Sequence, residues 1–295
     1  MAPRPRRGVP PRLIAFVALA VAAAGCGPPS TPPNEASPTT STAGPSTIAS
    51  SIPSPTTSIT TLSDPEMQVL VPDGDGPFPA VVLVHGGGWV AGTPSLMNDL
   101  ATYLTEAGFL TVNTAYTLAN GVAGFPGAVD DVACAIRHAA AHTDSDGSVA
   151  VVGFSAGAHI GALAALDEGI YGRSCSLPEP VIPDRFVGMA GPYDVSRLGL
   201  LILPFFGVPF AEDPELWASG DPLRQAGRNP GLTALLLHGE NDGLLDLEFA
   251  TDFATALADA GADALVEVVE GARHGDLQDP DVVGDLVAAW LARDS

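Results

Sequence analysis

The sequence contains no lysine, and only 12 of its 295 residues are basic, against 34 acidic residues. Four of the arginines fall within residues 1–25, which hold no acid, so the remainder carries eight positive and 34 negative charges, a net of −26. Nucleic-acid binding depends on Arg and Lys contacts to phosphates. The composition therefore argues against a nucleic-acid partner, and the acidity itself indicates little more than solubility.

Long apolar runs are also scarce. The apolar stretch nearest the start, residues 13–24, is shorter than the roughly 20 residues that a helix needs to cross a bilayer. It follows a segment with four arginines and ends in small residues, a pattern typical of a secretory signal peptide over residues 1–25.

One of only three cysteines, Cys26, comes directly after Ala23-Ala24-Gly25. This arrangement resembles the bacterial lipobox, in which the cysteine becomes the lipidated first residue of the mature protein, although the usual box has Leu or Val where this chain has Ala23. We therefore expect an exported protein held on the outer side of the cell membrane through Cys26. Ordinary cleavage, giving a secreted soluble protein, is the alternative.

The segment from Gly27 to about Leu62 consists largely of Pro, Ser and Thr. Such a composition cannot bury enough apolar surface to offset the entropy of ordering, so we predict that residues 26–63 form a disordered tether. Residues 64–295 then remain for one folded domain with a full-sized core.

In that domain, short β-branched runs alternate with longer helical patterns, which predicts a doubly wound, mostly parallel α/β sheet with helices on both faces. The predicted strands are Met67–Val71, Ala80–Val84, Phe109–Asn113, Val149–Val152, Phe186–Met189, Thr233–Leu237 and Ala264–Val269. The predicted helices are Leu96–Ala107, Ala128–His142, Ala156–Leu166, Asp246–Ala260 and Asp281–Ala292.

The strongest motif is Gly-Phe-Ser-Ala-Gly at residues 153–157, which follows the strand Val149–Val152 and precedes a helix. A nucleophile elbow requires this context, because a tight strand-to-helix turn lifts the serine hydroxyl above the sheet. The flanking glycines allow the turn, and the helix N-terminus favours developing negative charge. The motif predicts Ser155 as a nucleophile.

A glycine run, His-Gly-Gly-Gly-Trp at residues 85–89, follows the strand Ala80–Val84. Acyl transfer creates an oxyanion, which fixed backbone N–H groups stabilise. We predict Gly87 and Gly88 as donors, together with the amide of Ala156. A flexible loop is the alternative, and a phosphate cradle is disfavoured because it would require a lysine after the glycines.

The serine needs a base and an orienting acid. Of six histidines, His274 follows the last predicted strand, where a loop can carry an imidazole over the sheet. Asp242 follows the strand Thr233–Leu237, and the order serine, aspartate, histidine is the one that this architecture uses. Glu240 and Asp246 are the competing acids. We assign His85 to the glycine loop and expect the histidines on helices to be structural or at the surface.

Export permits a disulfide between the two remaining cysteines, Cys134 and Cys175. Cys134 lies on the helix before the elbow strand and Cys175 in the loop after the elbow helix, and these helices can be neighbours on one face. No Cys/His cluster has the sequence spacing of metal ligands, so we expect neither a metal nor another cofactor.

The chain resembles the α/β-hydrolase esterases related to hormone-sensitive lipase, and most closely their feruloyl-esterase-like and arylformamidase-like branch. The likeness runs from about Phe78 to Leu277. It is carried by His85–Trp89, Phe125-Pro126 with Asp130-Asp131, Gly153–Gly157, Gly191–Asp194, His238–Asp242 and His274-Gly275. Phe154 departs from it, because many lipase-like members have Asp there.

The resemblance and the motifs together predict a serine hydrolase that cleaves a small or medium carboxylic ester through an acyl-enzyme. A hydrolase of amides, formamides or short peptides with the same triad is one alternative, and a non-catalytic binding protein is another. The apolar segment Leu198–Phe210 is either a cover that lines an acyl pocket or a buried connector.

Overall fold

The central strands of the sheet have aliphatic and β-branched residues that are buried on both faces. The computed structural model describes residues 58–63, 65–177 and 179–293, so the predicted signal peptide, Cys26 and most of the tether lie outside the described residues. The eight strands are β1 (Ser58–Ser63), β2 (Glu66–Val71), β3 (Phe78–Val84), β4 (Leu110–Thr114), β5 (Ser145–Phe154), β6 (Arg185–Met189), β7 (Thr233–Gly239) and β8 (Asp263–Val269).

The strand order is β1-β2-β4-β3-β5-β6-β7-β8. The pairs β1/β2 and β2/β4 are antiparallel, and all the others are parallel. The carboxyl ends of the parallel strands therefore meet along one edge, where open α/β sheets place their sites.

Helices cover both faces of this sheet. The α-helices are α1 (Asn98–Glu106), α2 (Gly127–Ala140), α3 (Ala156–Ala165), α4 (Leu203–Phe206), α5 (Pro214–Ser219), α6 (Pro222–Gln225), α7 (Glu248–Asp259) and α8 (Pro280–Leu291). Short 3-10 helices span Pro94–Met97, Val195–Arg197, Gly199–Leu201, Ala226–Arg228 and His274–Gln278. Among the described residues, no helix is both long enough and apolar enough to span a bilayer.

The alternation of side chains along each strand divides the core into two clusters. On β3, Val82 and Val84 pack into the cluster that includes α2, α3 and α7, whereas Val81 and Leu83 face the cluster that includes α1 and α8. Both sets are fully buried, which explains why β3 reads as an uninterrupted apolar run. The predicted fold class is thereby confirmed.

The predicted domain start at Asp64 is too late. Ser58–Ser63 pairs with β2 in register from Ser58 opposite Val71 to Ser63 opposite Glu66. The composition of the preceding tract does not reveal this strand, because its backbone hydrogen bonds depend on the free edge that β2 offers. Three short helices between residues 195 and 206, together with α5 and α6, also lie where no element was predicted.

The apolar segment Leu198–Phe210 divides its side chains between interior and surface. Ile202, Phe205 and Phe206 are buried in the core, whereas Leu200 and Phe210 are exposed by 83% and 51%. The exposed residues line a groove of about 390 Å³ together with Trp217. One part of the segment is therefore buried, as a connector would be, and the other part lines an apolar groove at the surface.

Candidate active site

Ser155 lies at the turn between β5 and α3, in a backbone conformation that is rare for a residue with a side chain. Its φ is 52° and its ψ is −119°, and its N–H donates to the Met189 carbonyl at 2.8 Å. The flanking glycines make this turn possible, since a Cβ on Gly153 would collide with the Gly157 carbonyl. The serine is therefore held in a strained conformation by the neighbouring strand and helix.

The structure brings Ser155 together with His274 and Asp242. His274 Nδ1 lies 2.8 Å from Asp242 Oδ2, and its Nε2 lies 3.0 Å from Ser155 Oγ. A carboxylate only accepts hydrogen bonds, so Nδ1 carries the proton and Nε2 of the neutral ring accepts from the serine hydroxyl. The imidazole thus has the tautomer that a general base needs.

Asp242 is fixed by its own loop. Its side chain is fully buried, and Oδ1 accepts from the N–H groups of Leu244 and Leu245 at 2.8 and 3.0 Å. Burial opposes ionisation, but these two N–H groups and His274 outweigh it and hold the pKa of Asp242 below its usual value. The carboxylate therefore remains charged beside the imidazole.

The two competing acids lie elsewhere. Glu240 is exposed, and its Oε2 accepts from the Gly271 N–H at 2.8 Å. Asp246 is 78% exposed and lies 3.9 Å from Arg197. Glu240 thus joins the loop after β7 to the loop after β8, and only Asp242 reaches His274.

The glycine loop follows β3 and lies against the elbow. Val84 at the end of β3 is paired with Gly153 of β5, and a Cβ on Gly157 would collide with the carbonyls of Val84 and His85. Gly87 and Gly88 have φ values of 130° and 59°, and both are exposed. The loop therefore places two exposed glycines next to the strand that leads to Ser155.

Three of the other histidines are buried. His85 stacks on the Tyr116 ring at 4.4 Å and donates from Nδ1 to the Gly86 carbonyl at 2.7 Å, while burial lowers its pKa. Burial also lowers the pKa of His238, at the end of β7. His159 on α3 is fully buried. The sequence left His159 as either a structural or a surface residue. The structure buries it and bonds its ring to Trp89 and Gly220.

Phe154 is a site residue that the motif did not reveal. Its ring packs against the His274 ring with centroids 5.2 Å apart, and it is buried. Phe154 therefore supports the imidazole from the strand that carries Ser155. Only its position next to the serine could have indicated this contact.

A disulfide joins Cys134 and Cys175, with their Cα atoms 5.3 Å apart. His138 lies beside this pair, and one ligand atom of each of the three residues falls within 4.8 Å of the others. Sequence spacing did not reveal this Cys/His cluster, because Cys175 is 41 residues from Cys134. The sulfurs are bonded to each other, so neither is the thiolate that a metal would need.

The sheet topology, the strained serine after β5 and the hydrogen-bonded Ser155, His274 and Asp242 define an α/β-hydrolase. The sequence profile of the BD-FAE family matches residues 67–257. The chain belongs to this family, which confirms the resemblance that the motifs indicated.

Curated relatives support the same assignment. Esterase LipC of Mycobacterium tuberculosis is 30% identical over 218 residues, covering 68% of this chain and 53% of LipC. A probable isoprenylcysteine alpha-carbonyl methylesterase of Arabidopsis thaliana, ICMEL1, is 28% identical over 254 residues, covering 74% and 52%. The chain thus spans about half the length of these relatives.

Among solved structures, a truncated carbohydrate esterase from gut microbiota superposes with a TM-score of 0.67 at 20% identity. The match covers 79% of this chain and 92% of that one. At this identity the likeness supports the fold alone.

Proposed function

We propose that this protein is a serine carboxylic-ester hydrolase, with Ser155 as nucleophile, His274 as general base and acid, and Asp242 as the orienting acid. The observation that carries the proposal is the continuous hydrogen-bonded chain from Ser155 Oγ through His274 to Asp242, with distances of 3.0 and 2.8 Å. The names of the curated relatives, esterase and methylesterase, favour an ester over other acyl compounds.

In the first half-reaction, Ser155 Oγ forms a bond to the ester carbonyl carbon while its proton passes to His274 Nε2. The carbonyl electron pair moves onto oxygen, and the amides of Gly87, Gly88 and Ala156 stabilise this oxyanion. When the carbonyl re-forms, the bond to the alcohol breaks and the alcohol takes the proton from His274. Asp242 stabilises the transient imidazolium without itself accepting the proton.

In the second half-reaction, water replaces the alcohol. His274 removes a proton from the water as its oxygen attacks the acyl carbon, and the collapse of the second oxyanion returns the proton to Ser155. The products are the acid and the free enzyme. The charge of Asp242, which its loop amides maintain, serves both steps.

The same machinery can cleave amides, formamides or short peptides, so the test compares bond types. We would measure hydrolysis of p-nitrophenyl esters of graded acyl length beside formyl and aminoacyl anilides. We expect turnover of esters of small or medium acyl chains, with anilides much slower. A preference for anilides would replace the ester assignment with an amidase, and no turnover of either would favour a binding protein.

Two variants test the nucleophile. Ser155→Ala should abolish turnover and labelling by a fluorophosphonate while the melting temperature stays close to that of the wild type. Ser148→Ala is the matched control, because Ser148 is an exposed residue on the same strand that bonds Asp146. Mass spectrometry should find the phosphonate on Ser155, and a label on another serine would contradict the assignment.

We also propose export and anchoring through a lipid on Cys26, with ordinary cleavage and secretion as the alternative. The support is the basic start, the apolar residues 13–24 and the small residues before Cys26. In a bacterium that makes lipoproteins, the wild type should fractionate with membranes, and Cys26→Ser should lose the lipid but keep esterase activity. An unmodified mature N-terminus in the wild type would leave the secreted form.

A further inference from the structure

The residue that follows the glycine loop, Trp89, is held in an unusual backbone conformation. Its φ is 65°, a value uncommon for a residue with a bulky side chain, and it is buried. Its carbonyl accepts from the Ala119 N–H at 2.8 Å. Such a conformation persists only where surrounding contacts hold it, so the partners of the indole are informative.

The indole of Trp89 bonds to a buried histidine rather than to solvent. Its Nε1–H donates to His159 Nδ1 at 3.2 Å, and His159 Nε2 lies 3.0 Å from the Gly220 carbonyl oxygen. An indole N–H can only donate, so Nδ1 of His159 has no proton and Nε2 carries it. Nε2 therefore donates to Gly220, and both ring nitrogens have one defined role.

Aromatic rings enclose this histidine. The rings of Phe205 and Trp89 meet it edge to face, at centroid distances of 5.2 and 5.6 Å. Burial lowers the pKa of His159 to about 4, although the bond to Gly220 opposes this. The ring is thus neutral near pH 7, which preserves the acceptor that Trp89 needs.

His159 also lies on the helix that carries the nucleophile at its start. Its backbone N–H donates to the Ser155 carbonyl at 3.2 Å, so the ring is one turn of α3 away from Ser155. The bond from Trp89 therefore fixes the glycine loop relative to the helix of the nucleophile. Gly220, between α5 and α6, holds the other side of the ring.

We propose that Trp89 and His159 are positioning residues, whose hydrogen-bonded chain to Gly220 holds the amides of Gly87 and Gly88 where the oxyanion forms. The proposal rests on the proposed function, because it assigns those amides to oxyanion stabilisation. It predicts a loss in the transition state rather than in substrate binding, since the oxyanion exists only there.

Trp89→Phe removes the donor and keeps most of the aromatic surface. We expect kcat for a p-nitrophenyl ester to fall roughly 10- to 100-fold, the range that a small misplacement of catalytic groups produces, with KM within about twofold of the wild type. Trp290→Phe is the control. This buried tryptophan of α8 lies beside the first residues of β6, β7 and β8, at the opposite edge of the sheet from Ser155, and the substitution should leave kcat unchanged.

Two substitutions at His159 separate hydrogen bonding from packing. His159→Asn places an oxygen near the Nδ1 position and should keep the bond to Trp89 and most of kcat. His159→Leu should be as slow as Trp89→Phe, and the double variant Trp89→Phe/His159→Leu no slower than either, since one interaction is lost in all three.

Unchanged kcat in a folded Trp89→Phe, or a change in KM alone, would overturn the proposal. If Trp89→Phe does not fold, the ratio of kcat between His159→Asn and His159→Leu decides instead, and a ratio near one overturns it. Ser155→Ala, assayed in parallel, tests the proposed function independently. Activity that survives Ser155→Ala would refute the mechanism, whereas normal kcat in Trp89→Phe would refute only the positioning.

Discussion

Two histidines of this protein use both ring nitrogens, yet their surroundings differ in kind. His274 has a carboxylate on one side and a hydroxyl on the other, and its side chain is 15% exposed. His159 has an indole N–H on one side and a peptide carbonyl on the other, and it is fully buried. The first environment can stabilise a positive charge, and the second cannot.

The difference lies in the partner of the protonated nitrogen. Asp242 carries a negative charge that two loop amides maintain, so a proton that arrives on His274 is compensated. At His159 the Gly220 carbonyl offers only a dipole, and burial penalises the imidazolium. One ring is therefore suited to proton transfer and the other to fixed geometry.

The largest effect should come from removing the charge beside His274. Asp242→Asn should lower turnover by orders of magnitude, on the scale of ~10⁴, because the amide favours the wrong tautomer of the imidazole. Steady-state hydrolysis of a p-nitrophenyl ester measures it. Asp246→Asn is the control and should stay near wild type, since Asp246 is exposed and pairs with Arg197. A large loss in the control alone would reassign the acid.

The second prediction concerns the Cys134–Cys175 disulfide, which should stabilise the region around His159 without touching its ring. The Cys134–Cys175 disulfide restrains the segment that carries Tyr171, which packs on Phe125 and through it on Phe205. Replacing both cysteines by Ala should cost about 4 kcal/mol of unfolding free energy for a closed loop of this length, with kcat little changed.

Guanidinium unfolding measures this loss. The reduced wild type is the control and should match the double variant, which should itself be insensitive to reductant. A double variant as stable as the oxidised wild type would contradict the prediction.

The pH dependence of stability should show the cost of burying a neutral histidine. The pKa of His159 is about 4 in the folded state and about 6.5 when unfolded. Between pH 6.5 and 4 the imidazole of His159 is protonated in the unfolded chain but neutral in the folded protein. The free energy of unfolding therefore falls as the pH drops from 6.5 to 4. The loss amounts to roughly 3 kcal/mol.

Comparison of variants isolates this contribution. Burial and Asp194 raise the pKa of Asp221 to about 6, which acts in the opposite direction over the same range, so the measured quantity is the difference between wild type and His159→Asn. The variant should lose less stability between pH 6.5 and 4. Ser148→Ala, a substitution of an exposed residue without a titratable side chain, should behave as the wild type. Identical slopes for wild type and His159→Asn would disprove the prediction.

The smallest effect is expected at a third histidine, at the base of the glycine loop. Tyr116 Oη donates to the His85 carbonyl at 3.1 Å, so Tyr116→Phe should cost about 1 kcal/mol of unfolding free energy. Tyr193 is equally buried, but its hydroxyl has no hydrogen-bond partner among the described residues. Tyr193→Phe should therefore leave the free energy of unfolding unchanged or raise it. A larger loss of unfolding free energy in Tyr193→Phe than in Tyr116→Phe would contradict the prediction.

Local patterns determined much of this protein. The strands of the parallel sheet, the five long helices, the elbow at Ser155 and the loop at Gly87 and Gly88 were all predicted, because each depends on residues adjacent in sequence. Strand propensity, helical periodicity and glycine's freedom at positive φ act over a few residues. The motifs also indicated Ser155 and His274, with Asp242 as the first of three candidate acids.

Only the tertiary structure decided the remaining questions. It places Asp242, and neither Glu240 nor Asp246, within hydrogen-bonding distance of His274, and sequence could not show which of three carboxylates within seven residues points that way. It pairs Ser58–Ser63, at the start of the domain, with the edge of β2, which the amino-acid composition of that segment does not indicate. It also places the His159 ring between Trp89 and Gly220, which are 70 and 61 residues away from it in the sequence. Such distances depend on how the whole sheet brings remote loops together, which no local pattern encodes.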